Sequence, residues 1–177
     1  MSEAAASPAG PSSRRVPGRG ERPAATGCNV RGATYEDLPA IAVAACALLL
    51  ELGAQPPPQA RMQAQARALL EEPRAGTLLV ADADSQLVGF LGVSWQSAIR
   101  IPGRYGLIQE LWVHSDWRSR AIGGELLSAL SELARTLGIE RIEVGLPSER
   151  FARLAATESF YADNGFTTIG TRMRRLV

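Results

Sequence analysis

Residues 107–127 read LIQELWVHSDWRSRAIGGELL, and this stretch decides the reading of the chain. An apolar strand pattern ends at Val113 and a short polar turn follows. Arg118, Ser119, Arg120, Gly123 and Gly124 then open an amphipathic helix. The first turn of a helix leaves backbone N–H groups without partners, and its macrodipole places partial positive charge there. Small residues at Ser119, Ala121, Gly123 and Gly124 let an anion approach that backbone. Arg118 and Arg120 add charges that can fork onto phosphate oxygens. Two glycines in a first turn weaken a helix by about 1 kcal/mol each relative to alanine. That cost falls where phosphates would sit. The stretch is neither a GxxxxGK[ST] loop nor a GxGxxG fingerprint. Taken alone, it reads equally as a surface turn with solvated arginines and glycines chosen for close helix–sheet packing.

Working outward, Tyr105–Val113 is a strand and the helix after it carries Ile122, Leu126, Leu127, Leu130, Leu133, Ala134 and Leu137 on one stripe, ended by Gly138. Ile139–Val144 is strand-like, 149–163 is a helix ending at Asn164-Gly165, and Phe166–Met173 closes with a strand. Upstream, Thr77–Ala83 and Leu87–Gln96 form a hairpin around a turn at Asp82–Gln86, and Ser97–Gly106 is a loop holding Pro102 and Gly103. Val30–Ala33 is a short strand. Thr34 starts a helix with Asp37 in a near capping-box position, and Gly53 and Pro56–Pro58 end it. Gln59–Leu70 is a second helix. The order β-α-α-β-β-β-α-β-α-β specifies one α/β (α+β) domain over residues 28–177, a mixed central sheet of about six to seven strands flanked by about four helices on both faces. Residues 1–27 hold four prolines, four glycines and four arginines and read as a disordered tail.

The 177-residue chain is 46% hydrophobic and 21% charged, which fits a globular domain with a real core. A formal net charge of +1 argues against nucleic acid as a partner. Two cysteines and one histidine, His114, supply neither a disulfide framework nor a metal site, so a reducing, cytoplasmic setting is the default. No run approaches the roughly 20 apolar residues of a membrane helix.

A second stretch narrows the options. Ser159-Phe160-Tyr161-Ala162-Asp163-Asn164-Gly165-Phe166 ends a helix and begins the last strand. Together with Arg118-Ser119-Arg120-Ala121-Ile122-Gly123 it resembles the GNAT superfamily of acetyl-CoA-dependent N-acetyltransferases. The family's [Q/R]-x-x-G-x-[G/A] motif is matched with Ala121 where glycine is usual, and its aromatic-Tyr and Gly-Phe pairs by Phe160-Tyr161 and Gly165-Phe166. The resemblance implies that backbone groups of Leu111, Trp112 and Val113 take the pantetheine arm of acetyl-CoA. It implies that amides across Arg118, Ser119, Arg120, Ala121, Ile122, Gly123 and Gly124 hold the pyrophosphate. The cofactor would enter as a wedge between the strands ending at Val113 and Val144. Tyr161 matches the tyrosine that protonates the departing thiolate.

The acceptor amine is not nucleophilic while protonated. Glu110, a carboxylate in an otherwise apolar strand, is the candidate base, since burial there raises its pKa. Its other readings are a glutamate paired with an arginine such as Arg104, or one facing water on an incompletely covered sheet. His114 is an alternative base in the turn, and Trp95, Trp112 and Trp117 are candidate platforms, Trp95 foremost. The resulting expectation is acetyl transfer by direct attack in a ternary complex, because neither Cys28 nor Cys46 lies in the proposed site to carry an acyl intermediate. The acceptor is a small-molecule or peptide amine, with no metal and no membrane partner, and assembly as a homodimer stays open. The rival is a non-catalytic acyl-CoA-binding module, which needs neither Tyr161 nor Glu110.

Overall fold

The computed structural model describes residues 27–170 and Arg175. The expected tail over residues 1–27 lies outside them but for Gly27, as does the end of the expected last strand.

Strand β1 (Asn29–Gly32) leads through a single 3₁₀ turn to helix α1 (Leu38–Glu51) and helix α2 (Gln59–Glu71). The start of α1 is tied down by Asp37. Its carboxylate accepts the Thr34 N–H at 2.7 Å and two guanidinium bonds from Arg31, whose Nε reaches Asp82 of the neighbouring strand at 2.9 Å. Three long strands follow: β2 (Gly76–Ala83), β3 (Gln86–Ala98) and β4 (Ile101–Val113). The β2–β3 hairpin closes on Asp84 and Ser85, both at positive φ (50° and 63°), as a two-residue primed turn requires. Helix α3 (Ile122–Thr136), β5 (Ile142–Val144) and α4 (Leu154–Asp163) complete the described elements.

The sheet runs β1-β2-β3-β4-β5, antiparallel except for the parallel β4–β5 pair that α3 connects. Strand alternation splits the core in two. Leu78, Val80, Phe90 and Trp112 pack under α1 and α2, whereas Leu79, Ala81, Leu91, Val93 and Ile108 pack under α3, with Ile122, Leu126, Leu130 and Tyr161. Helices thus cover both faces. No helix among the described residues is long and apolar enough to cross a membrane.

Several expected boundaries move. The expected loop 97–106 is mostly strand. The β3–β4 turn is only Ile99-Arg100, and a register shift after Ser97 absorbs Pro102 and Gly103, which need no ladder partner at a bulge. Helix α3 starts at Ile122 rather than Arg118, because Ser119 and Ala121 stand at φ 64° and 62°, where no right-handed helix can run. Helix α4 starts at Leu154 rather than Glu149, after two tight turns at Phe151 and Leu154. The described sheet has five strands rather than six or seven: residues 166–170 are irregular.

Candidate active site

Strand β4 pairs with β5 only from Gly106 to Ile108. Beyond that rung β4 runs on to Val113 while β5 has already ended, so the two part. On its other side β4 carries a bulge between Ile108 and Glu110, which leaves Gln109 without a partner on β3. Gln109 is therefore the first β4 residue past the β5 pairing and the one residue there that the β3 ladder skips. A cleft of about 890 Å³ opens there. It is bordered by Ile108–Val113, the segment from Trp117 to Gly124, Val144, the end of α1 and one side of α4. Of the residues singled out from sequence, Glu110, Leu111, Trp112, Val113, Arg118, Ser119, Ala121, Ile122, Gly123, Gly124 and Tyr161 all line it.

Glu110 stands in this cleft half-buried, with no hydrogen bond or ion pair to any described residue. Arg104, its expected alternative partner, instead donates to the Arg74 carbonyl at 3.2 Å. Burial without compensation pushes the carboxyl up to about 7. Its room comes from β3: a Cβ built on Gly92 would stand 2.5 Å from Oε2 of Glu110. A glycine in a strand interior weakens the strand, and here it makes the space for one carboxylate.

Tyr161 faces the cleft from α4. It is buried between Phe160 and Phe166, each edge-on to its ring at centroid distances of 5.2 and 5.3 Å. Loss of water there pushes its phenol up to about 12. Phe160 in turn needs Gly123, where a Cβ would lie 3.0 Å from the ring. That glycine accommodates helix packing as well as any ligand.

The segment between β4 and α3 differs most from its sequence reading. Arg118 does not point a free fork outward. Its Nη2 donates to both carboxylate oxygens of Glu51 at 2.6 and 2.8 Å, and its Nε to the Val113 carbonyl at 2.9 Å. Trp112 Nε1 joins the same carboxylate at 3.2 Å. Arg120 does not line the cleft. Its guanidinium stacks over Trp117, 4.7 Å from the ring centroid. Beyond Trp117 and Arg118, the cleft at this end is lined by Ser119 and Ala121 in left-handed conformation, then by the first turn of α3 with buried Ile122 and Gly124. Ala121 carries the conformation that glycine adopts without cost, which is why glycine suits the position. Glu51 escaped the sequence reading, although it is the one charged residue in LPAIAVAACALLLE and so carried a signal.

His114 sits outside the cleft, its Nδ1 accepting the Asp116 N–H at 3.3 Å. Trp95 is not a platform. It is buried under the α3 face, over Gly106, where a Cβ would meet its ring at 3.0 Å. Trp112 and Trp117 do line the cleft, through the contacts given above. Among the described residues no cysteine lines it, and no group of side chains could hold a metal ion.

The profile of the acetyltransferase (GNAT) family matches residues 46–166. No sequence match to a curated protein was found. Among solved structures, a predicted acetyltransferase of Clostridium acetobutylicum crystallised with acetyl-CoA is 16% identical, with a TM-score of 0.69 over 84% of this chain and 96% of that one. The glucosamine-6-phosphate N-acetyltransferase of Arabidopsis thaliana is 13% identical, with a TM-score of 0.67 over 84% and 97%. A GNAT family acetyltransferase of Staphylococcus aureus is 16% identical, with a TM-score of 0.65 over 86% and 100%. At these identities the likeness is one of fold.

Proposed function

Because the chain belongs to the acetyltransferase (GNAT) family, we propose that it transfers an acetyl group from acetyl-CoA to a primary amine by direct attack in a ternary complex. The observation that carries this reading is the pairing in one cleft of an unpartnered, desolvated carboxylate with a buried phenol, next to a helix start. Acetyl-CoA supplies the activated acyl group. Its pyrophosphate is assigned to the amides from Ser119 to Gly124, and its pantetheine arm to the β4 edge at Leu111–Val113, where no β5 strand competes for the backbone. Arg118 contributes by shaping this segment, since its Nε and Nη2 are engaged by the Val113 carbonyl and Glu51. Arg120, stacked on Trp117, belongs to the segment without facing the cleft.

Glu110 is the base. With a pKa near 7 its carboxylate takes the proton of an alkylammonium, directly or through one water, and releases the nucleophilic amine. Tyr161, held at about 12, keeps its proton throughout the working range and is the donor for the departing thiolate, whose own basicity rises with the same loss of water. The absence of a cysteine from the described lining favours direct attack over a covalent acyl intermediate.

The test is the pH–rate profile of kcat/KM, followed by thiol release from acetyl-CoA. A base must be deprotonated to act, so activity rises with pH through about 7, the value burial gives Glu110. Glu110→Gln removes that limb and lowers kcat by about 10²-fold or more. A limb unchanged in Glu110→Gln excludes Glu110 as the base.

A further inference from the structure

Beside Glu110 the sheet carries a small polar cluster that the transfer chemistry does not use. Ser94 lies two residues beyond Gly92 on β3, hence on the same face of the sheet as the Glu110 carboxylate. Its hydroxyl donates to the Leu107 carbonyl at 3.5 Å, and two side-chain amides converge on its oxygen: Gln96 Nε2 at 2.9 Å and Gln109 Nε2 at 2.8 Å. A hydroxyl has one proton. With that proton given to Leu107, both glutamines must present their NH₂ groups to Ser94 and turn their Oε1 atoms away from it. Neither Oε1 is bonded to a described residue. Gln109 is also the bulged, exposed residue just past the end of the β5 pairing, and it lines the cleft.

Of this cluster only Gln109 lines the cleft, so the wall at the base presents two kinds of hydrogen-bond acceptor, the Gln109 amide carbonyl and the Glu110 carboxylate. We propose that Gln109, held in place through Ser94 and Gln96, selects the acceptor, favouring amines that carry further neutral N–H or O–H donors and turning away amines that carry a phosphate or carboxylate nearby. The proposal rests on the acetyl-transfer reading above. Its physical basis is asymmetry. A donor-bearing substrate satisfies the carbonyl, whereas an anionic one sets oxygen against oxygen and leaves its own charge unpaired. No arginine among the described residues hydrogen-bonds to this cluster to offset that, and Arg118 is held by Glu51.

Matched pairs of amines test it. Ethanolamine is compared with its phosphate ester, and an amino acid amide with the same amino acid bearing its free carboxylate, each by kcat/KM for thiol release from acetyl-CoA. The neutral member of each pair is expected to lead by about tenfold or more. Gln109→Arg replaces a carbonyl with a donor fork and should shift the ratio toward the anionic member, with the KM for acetyl-CoA unchanged. Equal or better use of the anionic members by the wild-type protein, a ratio unmoved by Gln109→Arg, or no turnover of any of the four amines overturns the proposal. Failure of the reading beneath it looks different: no saturable acetyl-CoA binding, or an acidic limb that persists in Glu110→Gln while the pair ratio stands.

Discussion

Two of the carboxylates that border the cleft, Glu51 and Glu110, are handled in opposite ways. Glu51, at the end of α1, is saturated: it receives both Nη2 contacts of Arg118 and the indole N–H of Trp112. Glu110, on β4, receives nothing from the described residues and is pushed up to about 7 by burial alone. The first arrangement ties a helix end to the strained segment before α3 and keeps charges out of reactive service. The second leaves one carboxylate near its own titration point and therefore able to exchange a proton. Pairing makes a group structural; withholding a partner makes it reactive.

After the loss of the carboxylate itself in Glu110→Gln, the largest effect in this comparison should come from Gly92→Ala. The added Cβ occupies the position of Glu110 Oε2, and that side chain is long enough to swing aside without moving the backbone. Displaced toward water, the carboxyl regains its ordinary, lower pKa, so the acidic limb of the pH–rate profile moves to lower pH. We expect kcat to fall by about tenfold, with the melting temperature kept. A limb still near 7 would break the link between the glycine and the carboxylate.

A smaller effect is expected from Glu51→Gln, which weakens the hold on Arg118. Both side chains are partly exposed, at 26% and 37%, so screening limits their pairing to about 1 kcal/mol or less. Acetyl-CoA affinity should therefore drop less than tenfold in calorimetric titration, and kcat should stay within about twofold. A collapse of kcat would place Glu51 with Glu110 in the chemistry and dissolve the contrast.

The smallest effect belongs to Ala121→Gly, which relieves the left-handed alanine at the α3 start but loosens the unfolded chain. These terms oppose, leaving a gain of about 1 kcal/mol at most, readable as a small rise in Tm with acetyl-CoA affinity unchanged or improved. A lower Tm would mean that the Ala121 methyl packs usefully where it stands.

Much of this architecture was legible along the chain. The stripe from Ile122 to Leu137 shows α3, and the change of period at residues 77–83 shows a strand. Glu110 drew attention as a carboxylate inside an apolar strand, and Tyr161 through its place in the Phe160–Phe166 stretch. The extent of each element was harder to see. Pro102 and Gly103 looked like a loop because a register shift that absorbs them leaves no mark in local sequence. Arg118 looked like an anion ligand because the carboxylate that holds it lies 67 residues away.

By itself, then, the sequence determined the order of elements, the two-sided sheet and the residue types from which a site could be built, because periodicity and turn chemistry act over a few neighbouring residues. Only the tertiary structure decided which charges are spent and which are free. It gave Glu51 to Arg118, Gly92 to Glu110 and the Ser94 hydroxyl to two glutamines. Such pairings depend on groups distant in sequence meeting within 3 Å or so, and on water being removed from some of them and left on others.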